Sequence, residues 1–117
     1  MKPKKYAFKH TRKVDLKTKI IHKYPTPTRT LELSHMIVNG RHPEKKNEWV
    51  LEHDCQFVMY VTKGKGKVYV DDETFEVEEG DVVFVPTETL FAVEGKFEYI
   101  TVDSPAWYPE QAEIVER

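Results

Sequence analysis

The sequence has 117 residues, of which 39% are hydrophobic, and a formal net charge of −2. This length fits one domain with a core of its own, and no apolar run approaches the roughly 20 residues of a membrane-spanning helix. Cys55 is the only cysteine, which excludes a disulfide within the chain; no apolar segment follows the lysine-rich start as it would in a secretory signal, so we predict a cytoplasmic protein without a membrane partner.

The charge is unevenly distributed along the chain. Residues 1–23 contain nine Lys or Arg and one Asp, a net charge of +8, so the remaining residues carry −10. A basic segment can bind phosphates through counterion release, but here an acidic body on the same chain competes for it. We expect solvation or self-association of this segment and no nucleic-acid partner, and we predict a homodimer that exchanges it between subunits.

Short alternating patterns, rather than helical spacing, dominate the sequence. The candidate strands place the following residues on one side each: Leu31, Leu33, His35 and Ile37; Leu51, His53, Cys55, Phe57, Met59 and Val61; Phe97, Tyr99 and Thr101. Residues 68–77 have a polar turn at their centre, which predicts a hairpin. The stretch GDVVFVP is a strand that ends at Pro86, because proline has no N–H for the ladder. Strands at this spacing, separated by Gly and Pro, predict an all-β sandwich or barrel.

Proline-containing stretches mark the expected ends of this barrel. Residues 24–28 contain two prolines and predict a stiff, extended linker. A second such stretch, residues 104–109, ends the sheet. The predicted organisation is a basic arm and linker over residues 1–27, a barrel over 28–103 and a C-terminal tail over 104–117.

Two further features are expected near the mouth of the barrel. The loop over residues 39–48 contains Arg41 and His42, which offer donors for an anionic group such as a phosphate or carboxylate; the alternative is a solvated polar loop. The tail aromatics Trp107 and Tyr108 either cover the pocket or pack on a partner subunit.

The segment YVTKGKGKVYVDDETFEVEEGDVVFVP, residues 60–86, resembles the cupin superfamily. The shared pattern is a strand ending in a Gly-x-Gly turn, a hairpin, then Gly-Asp, four apolar residues and a proline. The resemblance covers roughly residues 49–103 and implies a double-stranded β-helix, or jelly roll, in a family whose members are often dimeric. It also implies the usual metal site of that family, with two histidines and a glutamate from the first motif and a histidine from the second.

Three of these four metal positions are apolar in this chain. The four positions fall on Leu51, His53, Phe57 and Phe91, so only His53 offers a donor. A single imidazole does not hold a divalent ion firmly against water, and we predict no metal and no other cofactor. A relocated zinc or iron site made of His35, His53 and Cys55 remains open as an alternative.

Three functions are compatible with these residues. In the first, the barrel binds a small, sugar-like molecule, and the residues expected to contact it are His53, Leu51, Cys55, Phe57, Phe91 and His35. In the second, the protein is an isomerase or epimerase that uses His53 as a general base. In the third, the barrel is filled by its own side chains and the protein is a structural or interaction domain. Whether the protein is an enzyme stays open between them.

Overall fold

The computed structural model describes residues 1–117 as a curled antiparallel sheet of nine strands. The strands are β1 (Arg12–Asp15), β2 (Lys19–Lys23), β3 (Glu32–His42), β4 (Glu48–Glu52), β5 (Gln56–Val70), β6 (Glu73–Glu78), β7 (Val82–Val85), β8 (Leu90–Ser104) and β9 (Ala112–Glu116). The helical elements are two 3-10 turns, Phe8–His10 and Pro109–Gln111, and no helix is long and apolar enough to cross a membrane. The all-β jelly roll predicted from the sequence is confirmed.

Strand β8 is the centre of the sheet. It pairs with β3 along one side and with β5 along the other, and both ladders follow it for almost its whole length. β2 and β1 continue the sheet beyond β3, β6 and β7 pair with the two halves of β5, and β4 joins β9 to the start of β8. The segments expected as arm and tail contribute β1, β2 and β9; residue 28 lies in the loop between β2 and β3, and Ser104 is the last residue of β8.

Three glycines lie side by side across the three longest strands. Gly95 of β8 is opposite both Gly40 of β3 and Gly66 of β5. Gly40 and Gly95 have φ values of +120° and +136°, a conformation that residues with a Cβ rarely adopt. A Cβ on Gly95 would approach the Gly66 Cα to 2.8 Å. This glycine row is where the backbones come too close for side chains.

The sheet folds over itself, and β8 shows it most clearly. In the ladder, Phe57 is opposite Asp103, which is twelve residues beyond Phe91. An extended strand would separate residues at that spacing by about 40 Å, yet the Phe57 and Phe91 ring centroids are 5.1 Å apart. The two halves of β8 on either side of the glycine row therefore face each other across the interior.

The interior has an apolar wall and a polar wall. Residues directly opposite in an antiparallel ladder share a face, so the register assigns the inner side chains in rows. One row runs from Glu32 through Asp103 to Phe57, and the next from Ser34 through Thr101 to Met59. The β5 and β7 side is apolar, whereas the β2, β3 and β8 side carries polar groups at one end.

We predict that Gly66→Ala lowers the free energy of unfolding by about 3 kcal/mol, because overpacking of this size costs up to that much. The added Cβ would lie 2.4 Å from two atoms of the Phe97 ring. Urea unfolding measures the change. The loss of stability should be smaller when Phe97→Leu makes room for the added methyl group. A double-mutant cycle measures this coupling between positions 66 and 97.

Gly80→Ala is the matched control for this substitution. Gly80 has φ +91° and nothing within 4 Å of an added Cβ, so only backbone strain of about 1–2 kcal/mol applies, and Phe97→Leu should not change it. A Gly66→Ala protein as stable as the wild type would refute the close approach.

Candidate functional site

A buried lysine stands at the centre of the barrel interior. The inward side of β2 carries Lys19, Ile21 and Lys23, and Ile21 packs against the hydrophobic core. Lys19 is 6% exposed. Its Nζ lies 5.5 Å from the ring centroid of Tyr99 and 5.6 Å from that of Phe91, so the ammonium group is held between the two halves of β8.

Carboxylates from three strands surround the same end of the interior. Burial, reinforced by the nearby Glu52 and Glu32 carboxylates, raises the pKa of Asp103 from 3.8 to about 7, and Lys19 and Lys23 oppose that rise. Burial also raises the pKa of Glu52, against the effect of a 3.3 Å hydrogen bond that the Gln111 amide donates to it. The three carboxyl groups thus share two ammonium groups, and the raised pKa of Asp103 leaves that carboxyl partly protonated near neutral pH.

Two buried hydroxyls point into this space without a hydrogen-bond partner. Tyr99, Thr101 and Asp103 alternate along β8 and therefore share its inner face. The Tyr99 hydroxyl and Thr101 Oγ1 are fully buried and unpaired. Lys19 lies close enough to oppose the burial-driven rise in the pKa of Tyr99, although no hydrogen bond of ordinary geometry joins the two. Buried polar atoms are nearly always paired in native proteins, so these two hydroxyls are candidates for hydrogen bonds to a bound polar group.

His42 enters the interior from the far end of β3. It is opposite Val93, a fully buried core residue, and shares its face. Burial, followed by the charges of Lys19 and Arg41, lowers the pKa of His42 to about 4. The imidazole is therefore neutral at physiological pH. Together with the residues above it forms what we call the polar cluster: Lys19, Lys23, Glu32, His42, Glu52, Tyr99 and Asp103.

The sequence suggested that Arg41 binds an anionic group, but the structure places its donors elsewhere. Its guanidinium group donates hydrogen bonds to backbone carbonyls of the following loop, among them Pro43 at 2.6 Å and Glu48 at 3.2 Å. It also lies over the rings of Trp49 and Tyr69, 5.6 and 5.7 Å from their centroids. Because these contacts occupy its donors, Arg41 holds the loop in place.

The predicted position of His53 inside the barrel is wrong. β4 ends at Glu52 and the chain turns before β5 begins, so the alternation does not continue across this point. The His53 ring lies on the outside, with Nδ1 2.8 Å from Glu88 and Nε2 2.6 Å from Glu113. Its hydrogen bonds to Glu113 and then Glu88 raise the pKa of His53. His53 therefore joins the loop before β8 to β9.

The turn also reverses the expected sides of β4. Val50 packs against the core and Glu52 is one of the buried carboxylates, whereas Leu51 lies on the opposite, outward face. Phe57 and Phe91 do face the interior, as expected. Because the alternating pattern does not continue across this turn, the pattern does not identify Glu52 as an interior residue.

His35 and Cys55 are also placed differently from the expectation. His35 lies on the outer face of β3, where it pairs with Glu98 at 3.2 Å and stacks on His22. Cys55 is buried, and its thiol donates a 3.3 Å hydrogen bond to the Pro105 carbonyl. Burial raises the pKa of Cys55 to about 12, so the thiol is protonated and unreactive.

These positions do not fit a metal of the usual cupin kind. Of the four expected ligand positions, Leu51 and His53 lie on the outer face and the inward Phe57 and Phe91 are apolar, so none presents a donor group to the interior. The three candidate ligands of a relocated site, His35, His53 and Cys55, do not come together, and no three His, Cys, Asp or Glu side chains have the arrangement of a metal site.

The segment after β8 covers the polar end of the barrel. Lys23 pairs with Glu32 at 3.2 Å, and its Nζ lies 4.5 Å from the Trp107 ring centroid. The Ala106 N–H donates a hydrogen bond to the Arg29 carbonyl, and the Tyr108 hydroxyl donates one to Asp54. Of the two roles expected for these aromatics, covering the mouth is the one the geometry supports for Trp107.

Comparison with known proteins agrees with this architecture. A family model described as "Cupin domain" matches residues 40–95. A structure of a Streptomyces PAC13 variant with uridine, in which a tyrosine is replaced by phenylalanine, superposes with a TM-score of 0.88 at 19% identity, covering 99% of this chain and 93% of that one. Another PAC13 structure, of a protein described as a unique nucleoside dehydratase, gives a TM-score of 0.87 at 18% identity over 98% and 92% of the two chains.

Two further relatives are more distant in structure or shorter in their match. An RmlC-like cupin from Shewanella frigidimarina has a TM-score of 0.71 at 21% identity, over 89% of this chain and 93% of that one. An uncharacterized protein of Methanocaldococcus jannaschii is 29% identical over 63 residues. That match spans half of this chain and about half the length of the relative. The cupin-domain model thus matches just under half of this chain, and the shared fold agrees with the cupin resemblance of the sequence.

Proposed function

We propose that the protein is an enzyme that performs acid–base chemistry on a small, nucleoside- or sugar-like molecule inside the barrel, and that the reaction is the elimination of water. The observation that carries this proposal is the polar cluster, in which ionisable side chains from β2, β3, β4 and β8 converge around the buried Lys19. Removing charges from water is costly and is not repaid by an ion pair alone. Perturbed pKa values in such a cluster are typical of functional sites.

The cluster supplies both partners that an elimination needs. A base must take a proton from carbon, and an acid must give a proton to the departing hydroxyl, which leaves as water. His42 is the base in this proposal, because its imidazole lies on the inner face of β3 and is neutral at physiological pH. Asp103, with a pKa of about 7, holds the proton for the leaving group. Lys19 stabilises negative charge that develops on the substrate.

The two walls of the barrel suit a ligand with one apolar face. Phe57 and Met59 on β5 form a buried apolar surface. In the β5–β8 ladder they are the paired neighbours of Asp103 and Thr101, so the apolar and polar surfaces adjoin. A ribose or another cyclic polyol has a hydrocarbon face for such a wall and hydroxyls for the unpaired Tyr99 and Thr101 groups. The PAC13 structures contain uridine, which at this low identity guides the choice of a probe rather than identifying the substrate.

The buried carboxyl of Asp103 predicts how the stability of the protein depends on pH. The pKa of Asp103 is raised from 3.8 to about 7, so between these values the native protein binds a proton that the unfolded chain does not. That stabilising contribution is complete at low pH and is lost as the pH rises through about 7. Relative to the wild type, Asp103→Asn should be near neutral at about pH 4 and stabilising at about pH 8, a difference on the order of 3–4 kcal/mol.

Chemical denaturation of both proteins across this pH range measures the difference. Other titrating groups, such as His42, are present in both proteins and largely cancel. A stability difference that does not change with pH would mean that Asp103 titrates normally, and that it does not hold the proton the proposal requires.

The second prediction concerns binding. Uridine should raise the melting temperature of the wild type, because a ligand that binds only the native state stabilises it. Tyr99→Phe removes one unpaired hydroxyl and should weaken uridine binding roughly 3- to 10-fold. Isothermal titration calorimetry gives the dissociation constants. His53→Ala is the matched control and should bind as the wild type does, because His53 lies outside the barrel.

The third prediction concerns turnover. A panel of nucleosides, nucleoside derivatives and sugars is incubated with the protein, and mass spectrometry detects a product lighter by one water. His42→Asn should lower kcat about 100-fold or more and leave the dissociation constant of uridine within a few-fold, whereas His53→Ala should keep full activity. Loss of activity in His53→Ala with retention in His42→Asn would overturn the assignment of the base.

A further inference from the structure

Gln111 is a buried polar residue in the segment that follows β8. It is the last residue of the 3-10 turn Pro109–Gln111, and it is 4% exposed. It does not belong to the polar cluster, and the proposed reaction gives it no role. Burying an amide is costly unless its polar atoms are hydrogen-bonded, so the partners of Gln111 indicate why it lies inside.

The amide group of Gln111 binds the turn between β4 and β5 through both of its polar atoms. Its Oε1 accepts hydrogen bonds from the backbone N–H groups of Asp54 and Cys55, both at 3.0 Å. Its Nε2 donates a hydrogen bond to Glu52 Oε1 at 3.3 Å. The Gln111 carbonyl accepts another from the His53 N–H at 2.8 Å. One residue therefore contacts all four residues of the turn.

This turn determines which side chains between β4 and β5 face the interior. β4 ends at Glu52 and β5 begins at Gln56. Across the turn, Glu52 is buried whereas His53 lies outside. Because three successive backbone N–H groups are bonded to Gln111, the turn cannot rotate without breaking them. Gln111 therefore fixes the Glu52 carboxyl group on the inner side.

Glu52 and Asp103 are buried at the same end of the interior but differ in their hydrogen bonds. The Gln111 amide donates to Glu52, whereas no side chain donates to Asp103. A hydrogen bond to the charged form of a carboxyl group favours that form, and a neighbouring charge of the same sign disfavours a second one. Burial, followed by the charge of Glu52, raises the pKa of Asp103. Such a difference in surroundings separates a charged carboxyl from one that holds a proton.

The other charged groups around this pair act on both carboxyls or on Asp103 alone. Lys19 and Lys23 of β2 oppose the rise in pKa of both carboxyls. Glu32 of β3 adds to the rise in the pKa of Asp103, and its carboxylate pairs with Lys23 at 3.2 Å. Gln111 is therefore the neighbouring side chain that donates a hydrogen bond to one of the two carboxyls and not to the other.

We propose that Gln111 is a positioning residue of the site, which holds the Glu52 carboxylate inside the barrel near Asp103 so that Asp103 is the carboxyl that keeps the proton. This inference rests on the proposed function, in which Asp103 gives that proton to the leaving group. Gln111 does not touch the substrate and acts through Glu52. The segment after β8 thus has two tasks, since Trp107 covers the mouth and Gln111 controls the charge inside.

Gln111→Met tests the proposal, because methionine has a similar length and no amide. Without the hydrogen bond Glu52 binds a proton more readily, so its charge near Asp103 is reduced. The titration midpoint of Asp103, followed by carboxyl carbon NMR and assigned with Asp103→Asn, should fall from about 7 by on the order of one pH unit. The limb of the pH–activity profile that requires protonated Asp103 should move in the same direction.

A double-mutant cycle separates an effect through Glu52 from a general loosening of the turn. Glu52→Gln removes the charge and should also lower the Asp103 midpoint. In that background Gln111→Met should not lower it further. A loosened turn would instead move the midpoint in both backgrounds, and that result would overturn the proposal. Should Gln111→Met not fold, Gln111→Asn keeps an amide that is too short to reach Glu52 and should move the midpoint in the same direction.

Tyr108→Phe is the matched control. The Tyr108 hydroxyl donates a hydrogen bond from the same segment to Asp54 of the same turn, so its loss should leave the Asp103 midpoint unchanged. A wild-type midpoint near 7 that neither Gln111→Met nor Gln111→Asn moves would refute this inference, while the proposed function would stand. A wild-type midpoint near the ordinary value of 3.8 would refute both. Circular dichroism of each variant confirms that the sheet is intact.

Discussion

The close approach of three backbones at Gly40, Gly95 and Gly66 is the constraint on which the rest of the structure depends. Strands of 11 and 15 residues are too long for a small barrel unless they fold over. Glycine permits the positive φ values and the backbone contact that this requires. Because all three glycines are in register, the whole sheet turns along one line, and the two halves of β8 become opposite walls of one interior.

The chemistry of the interior is a consequence of that turn. Lys19 is near Phe91 and Tyr99 only because these residues, eight positions apart on β8, have been brought face to face. The same turn places Glu52 close enough to Asp103 to reinforce the burial that raises the pKa of Asp103. The interior holds two ammonium groups, three carboxyl groups and a neutral imidazole. Together they are proton donors and acceptors with different pKa values, which acid–base chemistry needs.

The sequence predicted the fold better than the site, and the reason is local. The β5–β6 hairpin and the Gly-Asp-to-Pro strand are continuous alternating runs, so their patterns identified the jelly roll and the cupin resemblance. Interior residues were missed where alternation breaks: the turn after Glu52 puts Glu52 inside and His53 outside. Lys19 was missed because it lies among other lysines, although the two isoleucines that follow it are typical of a strand. No local pattern indicates that Asp103, two residues before Pro105, becomes a buried acid; only its pairing with Glu32 and Phe57 in the ladder does.

The proposed site depends on two strands whose side chains alternate between the interior and the outer surface. Along β8, Thr101 and Asp103 point into the barrel while Ile100 and Val102 point outward, and along β5 the buried Phe57 and Met59 alternate with the exposed Val58 and Tyr60. Any displacement of this backbone therefore moves the inner groups as well. Because a misplacement of about 1 Å is costly for positioned catalytic groups, the long ladders of β8 with β3 and β5 also help to keep Tyr99 and Asp103 in register with Lys19.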